Sequence, residues 1–221
     1  MKCAVVFDMD GLMFDTERLY CQAWDYAGEK SGLGKTGYMV MKTLGTNREI
    51  GRSIWRREFG SRYNQEEIEG YTQEFFDQYY QSHPLPVKKG LRNLLHYLKA
   101  NGYPTAVASS TPRDQILEHL KEAELTGFFD QIVGGDSVTR SKPDPEIYLY
   151  ACEMLEMKPT DCYALEDSRN GLLAASSAGC QTIMVPDLWQ PDEEIKSRVL
   201  AILPDLDAVL EYLKQHSNNN K

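Results

Sequence analysis

Short apolar runs alternate along this chain with segments of helical period. KCAVVFD near the start, YPTAVASS (103–110), QIVGG (131–135), CYALED (162–167) and QTIMVP (181–186) each read as a strand. Between them, LRNLLHYLKANG (91–102) places Leu91, Leu94, Leu95 and Leu98 on one face and stops at Gly102. DQILEHLKEAEL (114–125) does the same with Ile116, Leu117, Leu120 and Leu125. DPEIYLYACEML (144–155) carries Asp144 at the cap and Pro145 at the first helical position. Strand–helix alternation of this kind predicts an α/β fold with a mainly parallel sheet.

One stretch interrupts the alternation. From 16 to 84 the pattern is helical without a convincing strand; REIGRSIWRREF (48–59) is amphipathic and EEIEGYTQEFFDQYYQSH (66–83) is long and aromatic. Pro84 and Pro86 close the region. The expected organisation is an α/β core of residues 1–15 and 85–221 with a helical module, 16–84, inserted after the first strand. GEKSGLGKT (28–36) has a superficial likeness to a nucleotide-binding loop. However, five residues separate Gly28 from Gly34, where four are needed, and no strand precedes it, so it reads as a loop of the helical module. The polar tail HSNNNK reads as frayed.

Composition narrows the classes. The 221 residues are 42% hydrophobic and 26% charged, a globular balance. A formal charge of −9 argues against a general nucleic-acid-binding face but not against a small anionic ligand. No apolar run approaches the roughly 18 residues of a membrane span. The Met-Lys start, followed by a short strand and then charge, does not read as a secretory signal. Cys3, Cys21, Cys152, Cys162 and Cys180 are widely spaced and odd in number, which points to reduced thiols in a cytoplasmic protein.

The chemistry lies at the strand ends. Asp8 and Asp10 close the first strand and, at i and i+2, share a face. In open α/β sheets the carboxyl ends of strands are where ligands bind. Two adjacent carboxylates repel, and a divalent cation removes that cost; a sparse carboxylate site suits Mg²⁺. The second strand ends in Ser109-Ser110-Thr111 and the fourth in Glu166-Asp167, while Lys142 precedes PDPE. Hydroxyls, a lysine and a second acidic pair are therefore delivered to the edge that holds Asp8 and Asp10. Such a set suits phosphoryl transfer to a carboxylate. Plainer readings exist: Asp-Gly as a turn, Lys142 as a surface lysine, Glu166-Asp167 as a helix start. Thr111-Pro112-Arg113-Asp114 reads as a helix cap, a role accepted for Thr111.

Four motifs in order carry a resemblance: DMDGLMFDTE, ASST, SKPDPEIY and ALEDSRNGLLAASSAG. The chain resembles, over nearly its whole length, the haloacid dehalogenase superfamily and within it the β-phosphoglucomutase-like phosphatases. The resemblance implies a Rossmann-like core with a small helical cap at the inserted module. It implies that Asp8 is the nucleophile and Asp10 the general acid/base. It further implies that Asp8, the Asp10 carbonyl and Asp167 hold Mg²⁺, with Glu166 supporting the lysine and the metal shell, and that Ser109, Ser110 and Lys142 bind the phosphoryl group. Arg48, Arg52 and Arg56 form a stripe that is either a solvated face or an anion-facing one; Arg48, in GTNRE, matches a substrate loop of mutase-like members. Thr16 falls in the hinge. Mutase members carry a histidine where this chain has Tyr20, and LPVKKGL lacks a mutase-like YPG, so hydrolysis of a small phosphorylated metabolite by a monomer is expected before mutase activity. A receiver-type signalling domain and a non-catalytic binding protein stand further from the pattern. Receiver domains are about half as long and have the acceptor aspartate on a different strand from the acidic pair. The intact set of Asp8, Asp10, Ser109, Lys142 and Asp167 speaks against a catalytically silent protein.

Overall fold

The computed structural model describes residues 3–217; the last four residues of the polar tail lie outside the described residues. The first strand, β1 (Ala4–Phe7), is followed by four helices: α1 (Thr16–Lys30), α2 (Met39–Thr43), α3 (Arg48–Phe59) and α4 (Gln65–Tyr80). Alternation then resumes with α5 (Leu91–Ala100), β2 (Thr105–Ala108), α6 (Arg113–Glu122), β3 (Gln131–Val133), α7 (Glu146–Met154), β4 (Cys162–Glu166), α8 (Arg169–Ala178), β5 (Gln181–Met184), α9 (Glu193–Arg198), β6 (Ala201–Ile202) and α10 (Leu206–Ser217). The six strands among the described residues form one parallel sheet in the order β3-β2-β1-β4-β5-β6.

That order makes β1 the centre of the sheet, flanked by β2 and β4. A central parallel strand is covered on both faces, which is why AVVF is buried at every position. Its side chains still alternate. Val5 and Phe7 join a core with Leu91, Leu94, Leu95 and Leu98 of α5 and Leu206, Val209 and Leu213 of α10. Ala4 and Val6 face the opposite way, with Ala106, Ala108 and Ala164, toward Ile147, Tyr148 and Ala151 of α7 and Ala174 and Ala175 of α8. Small residues on this second face allow α7 and α8 to approach the sheet closely.

The α/β class expected from the pattern is the observed one, with strand boundaries a residue or two shorter. QIVGG keeps strand geometry only to Val133, and Gly135–Ser137 is a 3₁₀ turn. The helix after PDPE begins at Glu146, with Pro145 at its cap position and Asp144 Oδ1 accepting from the Glu146 amide at 3.0 Å. Helices α1–α4 pack round apolar residues of their own, Ala27, Met39, Trp55, Phe59 and Ile68. Of the expected loop 28–36, residues 28–30 form the end of α1, Ser31 and Gly32 make a turn, and the buried Thr36 hydroxyl donates to the Trp24 carbonyl. No helix among the described residues is long and apolar enough to cross a membrane.

Candidate active site

Asp8 continues β1 by one residue, its amide donating to the Leu165 carbonyl at 3.0 Å. The chain then folds back: the Met13 and Phe14 amides both reach the Met9 carbonyl, at 2.9 and 3.2 Å. Gly11, at φ +86°, makes that turn possible and lets it press on β4's end, since a Cβ there would stand 2.3 Å from Asp167 Oδ2. The ends of β1 and β4 thus meet beside the point where strand order reverses, the crevice in which open α/β sheets bind ligands.

At the bottom of this crevice lies a buried charge cluster. Lys142 Nζ donates to Asp8 Oδ1 at 2.5 Å, to Glu166 Oε1 at 2.6 Å and to the Ala108 carbonyl at 3.1 Å. Burial alone would push the lysine's pKa down; the Asp8 and Glu166 carboxylates outweigh it and hold Lys142 charged. Glu166 Oε1 also accepts from the Tyr148 hydroxyl at 2.8 Å, and Oε2 accepts from the Asp167 and Ser168 amides, both at 3.0 Å. Asp8 is pushed well above the usual carboxylate range by burial, then by Glu166, with Lys142 opposing. Asp167 is pushed up by burial, then by Glu166 and Asp8.

The carboxylate oxygens of Asp8, Glu166 and Asp167 lie within 4.8 Å of one another, so this group could hold a metal ion. Two observations make the fit specific. Asp167 Oδ1 is buried and has no hydrogen-bond partner, which is costly unless a cation serves it. Both Glu166 oxygens are already occupied by protein donors, which leaves Asp8 and Asp167 as the carboxylates with capacity. The Asp10 carboxylate stands apart from this group. Its Oδ1 accepts from Thr16 Oγ1 at 2.9 Å, and its Oδ2 from Thr111 Oγ1 at 2.8 Å, with Ser109 Oγ at 3.5 Å.

A cavity of about 230 Å³ adjoins the cluster, lined by Asn47, Ser110, Thr139, Ser141 and Lys142 among others. It lies between the loop ahead of α3 and the core. Asn47 Nδ2 donates to Ser141 Oγ at 3.0 Å, and Asn170 Nδ2 to the Gly45 carbonyl at 3.4 Å. Arg48 is exposed, and its charge acts on Tyr20, whose ring stands edge-on to Trp24 and Phe76 at 5.7 and 4.9 Å. Arg52 pairs with Glu69 at 2.8 Å and Arg56 with Gln65 at 3.0 Å, so those two members of the stripe are engaged within the helical module.

The sequence profile of the haloacid dehalogenase-like hydrolase family matches residues 5–185. The chain belongs to that family. A phosphorylated carbohydrates phosphatase of Thermotoga maritima is 35% identical over 180 residues, covering 81% of this chain and 83% of the relative. Hexitol phosphatase B of Escherichia coli K12 is 30% identical over 191 residues, 83% of each chain. Among solved structures, a Thermotoga maritima protein described as a β-phosphoglucomutase superposes with a TM-score of 0.78 at 31% identity, covering 97% of this chain and 99% of that one.

In this hydrolase the structure brings together Asp8, Asp10, Ser109, Lys142, Glu166 and Asp167, and adds Thr16 from the first turn of α1. Ser110 lines the adjoining cavity; Tyr20 and Arg48 belong to the helical module and make no hydrogen bond to the cluster among the described residues. The cap reading of Thr111 is overturned. Its hydroxyl goes to Asp10, and the first amide of α6, Arg113, is instead capped by Asp136 Oδ1 at 3.0 Å. Sequence reasoning also missed Tyr148. Its place in SKPDPEIY was visible, but the phenol's reach to Glu166 depends on how α7 packs on the face of the sheet.

Proposed function

We propose that this hydrolase is a Mg²⁺-dependent phosphatase acting on a small phosphorylated metabolite, a sugar phosphate, through a phosphoryl group carried on Asp8. The observation that carries the reading is the division of labour between two aspartates at one strand end. Asp8 is buried against Lys142 and faces the metal group, while Asp10 is held away from both by Thr16 and Thr111. Such an arrangement lets one carboxylate attack phosphorus while the other moves a proton at the leaving oxygen.

In the first half-reaction an Asp8 oxygen forms a bond to phosphorus as the bond to the leaving oxygen breaks, and Asp10 gives its proton to that oxygen. In the second, Asp10 takes a proton from the water that attacks phosphorus, and the bond to Asp8 breaks to release phosphate. Lys142 and Ser109 bind the non-bridging oxygens, with Ser110 at the cavity side. Asp8, Asp167 and the Asp10 carbonyl would hold Mg²⁺, which would supply the positive charge that lets the buried carboxylates and the phosphoryl group coexist. Glu166 orients Lys142 and the Asp167 loop.

Residues 16–84 are read as a cap that selects the leaving group, with Asn47 and Gly45 at its contact with the core and Arg48 and Tyr20 on its substrate side. The carbohydrate and hexitol phosphatases among the relatives support a polyhydroxylic substrate, as do the amide and hydroxyls in the cavity wall. The protein is proposed to act as a cytoplasmic monomer, in keeping with five free thiols. The likeness to a protein described as a β-phosphoglucomutase favours mutase activity as a second reading. Tyr20, which offers no imidazole for proton transfer, speaks for hydrolysis.

The test is phosphate release from a panel of sugar phosphates, with Mg²⁺ and with chelator, beside Asp8→Asn. Release that needs Mg²⁺ and disappears in the variant is expected. Isomerisation of β-glucose 1-phosphate in the presence of its bisphosphate, without net phosphate release, would establish the mutase reading instead.

A further inference from the structure

The donors of Lys142 are fully spent. A lysine ammonium has three N–H groups, and here they serve Asp8 Oδ1, Glu166 Oε1 and the Ala108 carbonyl. The proposed reaction requires one of them to turn to a phosphoryl oxygen, so one acceptor must be given up. A buried carboxylate oxygen that loses its donor is heavily penalised. Glu166 Oε1 already has a second donor in place, the Tyr148 hydroxyl at 2.8 Å. Tyr148 is fully buried, and the phenol oxygen stands 3.4 Å from Lys142 Nζ. The ammonium also lies 5.1 Å from the centre of the Tyr148 ring, within range of attraction to its face.

We infer that Tyr148 is a positioning residue for the phosphatase reaction: its phenol keeps Glu166 satisfied while Lys142 turns an N–H to the phosphoryl group. This rests on the phosphatase reading and goes beyond it, since nothing in that reading requires a hydroxyl on α7. Phenylalanine would keep the ring, its packing and the face toward the ammonium, and remove only the donor. Lys142 would then be the one side-chain donor left to Glu166 Oε1 among the described residues, and would be held back from the substrate.

The experiment is a double-mutant cycle of Tyr148→Phe and Glu166→Gln. The readouts are the inhibition constant of inorganic phosphate in the presence of Mg²⁺, kcat, and the thermal midpoint. Tyr148→Phe is expected to weaken phosphate and lower kcat, each about tenfold, as loss of one hydrogen bond to a charged group implies. The midpoint should stay within a few degrees of wild type. In the Glu166→Gln background the same substitution should change phosphate affinity less than twofold, because the phenol acts through that carboxylate. Phosphate affinity equal to wild type in Tyr148→Phe overturns the inference. So does an undiminished effect in the Glu166→Gln background, or unfolding of Tyr148→Phe. If Glu166→Gln does not fold, the single variant decides: phosphate affinity falls at a constant midpoint, or it does not. A wild-type protein that neither releases nor binds phosphate overturns the phosphatase reading and this inference together. An active wild type with an indifferent Tyr148→Phe overturns this inference alone.

Discussion

Thr111 Oγ1 and Asp10 Oδ2 stand 2.8 Å apart, joining the loop after β2 to the end of β1 across 101 residues of sequence. With Thr16 on the other oxygen at 2.9 Å, the Asp10 carboxylate is held from both sides. In its proposed acid/base role Asp10 must keep its angle to the leaving oxygen, and small misplacements cost rate steeply. Thr111→Val keeps the side-chain shape and removes the hydroxyl. It is expected to lower kcat by roughly ten- to a hundredfold, the worth of a hydrogen bond to a charged group. Thr111→Ser should retain most of the rate. Steady-state kinetics of the two variants on one substrate check this.

The buried carboxylates give the metal-free protein a particular pH dependence. Asp8 and Asp167 are both pushed up by burial and by neighbouring carboxylates. A raised carboxyl pKa means that the folded state binds the proton more tightly than the unfolded chain does. Stability from that source is therefore present below the unfolded value of about 3.9 and is lost as pH rises toward the folded value. Mg²⁺ at the proposed site would compete with those protons, so its stabilising effect should grow with pH. The Mg²⁺-induced rise in thermal midpoint is expected to be small at pH 5 and larger at pH 8. At a hundred times Kd it should amount to about 2.7 kcal/mol. Thermal melts with Mg²⁺ and with chelator across that range measure it. An effect that shrinks as pH rises would count against metal binding at Asp8 and Asp167.

The two crossings between the helical module and the core share one acidic anchor. Asp187, beyond β5 and with its side chain almost wholly buried, pairs with Arg18 in the first turn of α1 and with Lys88 ahead of α5, the latter at 2.7 Å. Asp15 bridges the same two cations at 2.8 and 3.2 Å. Asp187→Ala leaves both cations with Asp15 alone. Because Arg18 is half exposed, the cost should lie below that of a fully buried pair, at about 2 kcal/mol. That corresponds to a midpoint lower by roughly 4–8 °C for a chain of this size. The same change should raise KM more than it lowers kcat, since it loosens the joint between the helical module and the core and leaves the cluster's hydrogen bonds in place.

What could be read from the sequence follows a physical divide. Strand ends deliver residues to one edge of a parallel sheet whatever the details of packing, so Asp8, Ser109 and Asp167 were legible as one site from topology, and Lys142, in the loop after β3, from its place ahead of PDPE. Thr111 was not, because Thr-Pro-Arg-Asp is a sound local cap pattern, and only the tertiary approach of β1 redirects the hydroxyl to Asp10. Tyr148 was visible only as a position in SKPDPEIY and not as a donor, since its partner Glu166 comes from β4, distant in sequence. The two-residue β6 and the closing helix α10 went unread. The first is too short for any alternation to show; the second has its start signal in Pro204-Asp205, where Asp205 Oδ1 accepts from the Ala208 amide at 2.9 Å, and was missed although legible. The helical stretch was clear from its period, yet the contacts of Asn47 and Asn170 across to the other side depend on loop conformation.

Gly171 provides a test of the cluster from outside its charged members. It is the third residue of α8 and has no need of a left-handed backbone, so local helix propensity favours alanine there by about 1 kcal/mol. The obstacle is tertiary: a Cβ on Gly171 would stand 1.6 Å from Glu166 Oε1. Gly171→Ala must therefore drive Glu166 away from Lys142, Tyr148 and Ser168 at once. Activity is expected to fall by more than about a hundredfold, as for loss of several charge-assisted hydrogen bonds. The thermal midpoint should drop despite the better helix former. Gly70, in α4, has nothing within 4 Å of the corresponding position. Gly70→Ala should raise stability by roughly 0.5–1 kcal/mol at unchanged kcat. If the two alanines behave alike in melts and in kinetics, the packing of α8 against Glu166 does not set the geometry of the site.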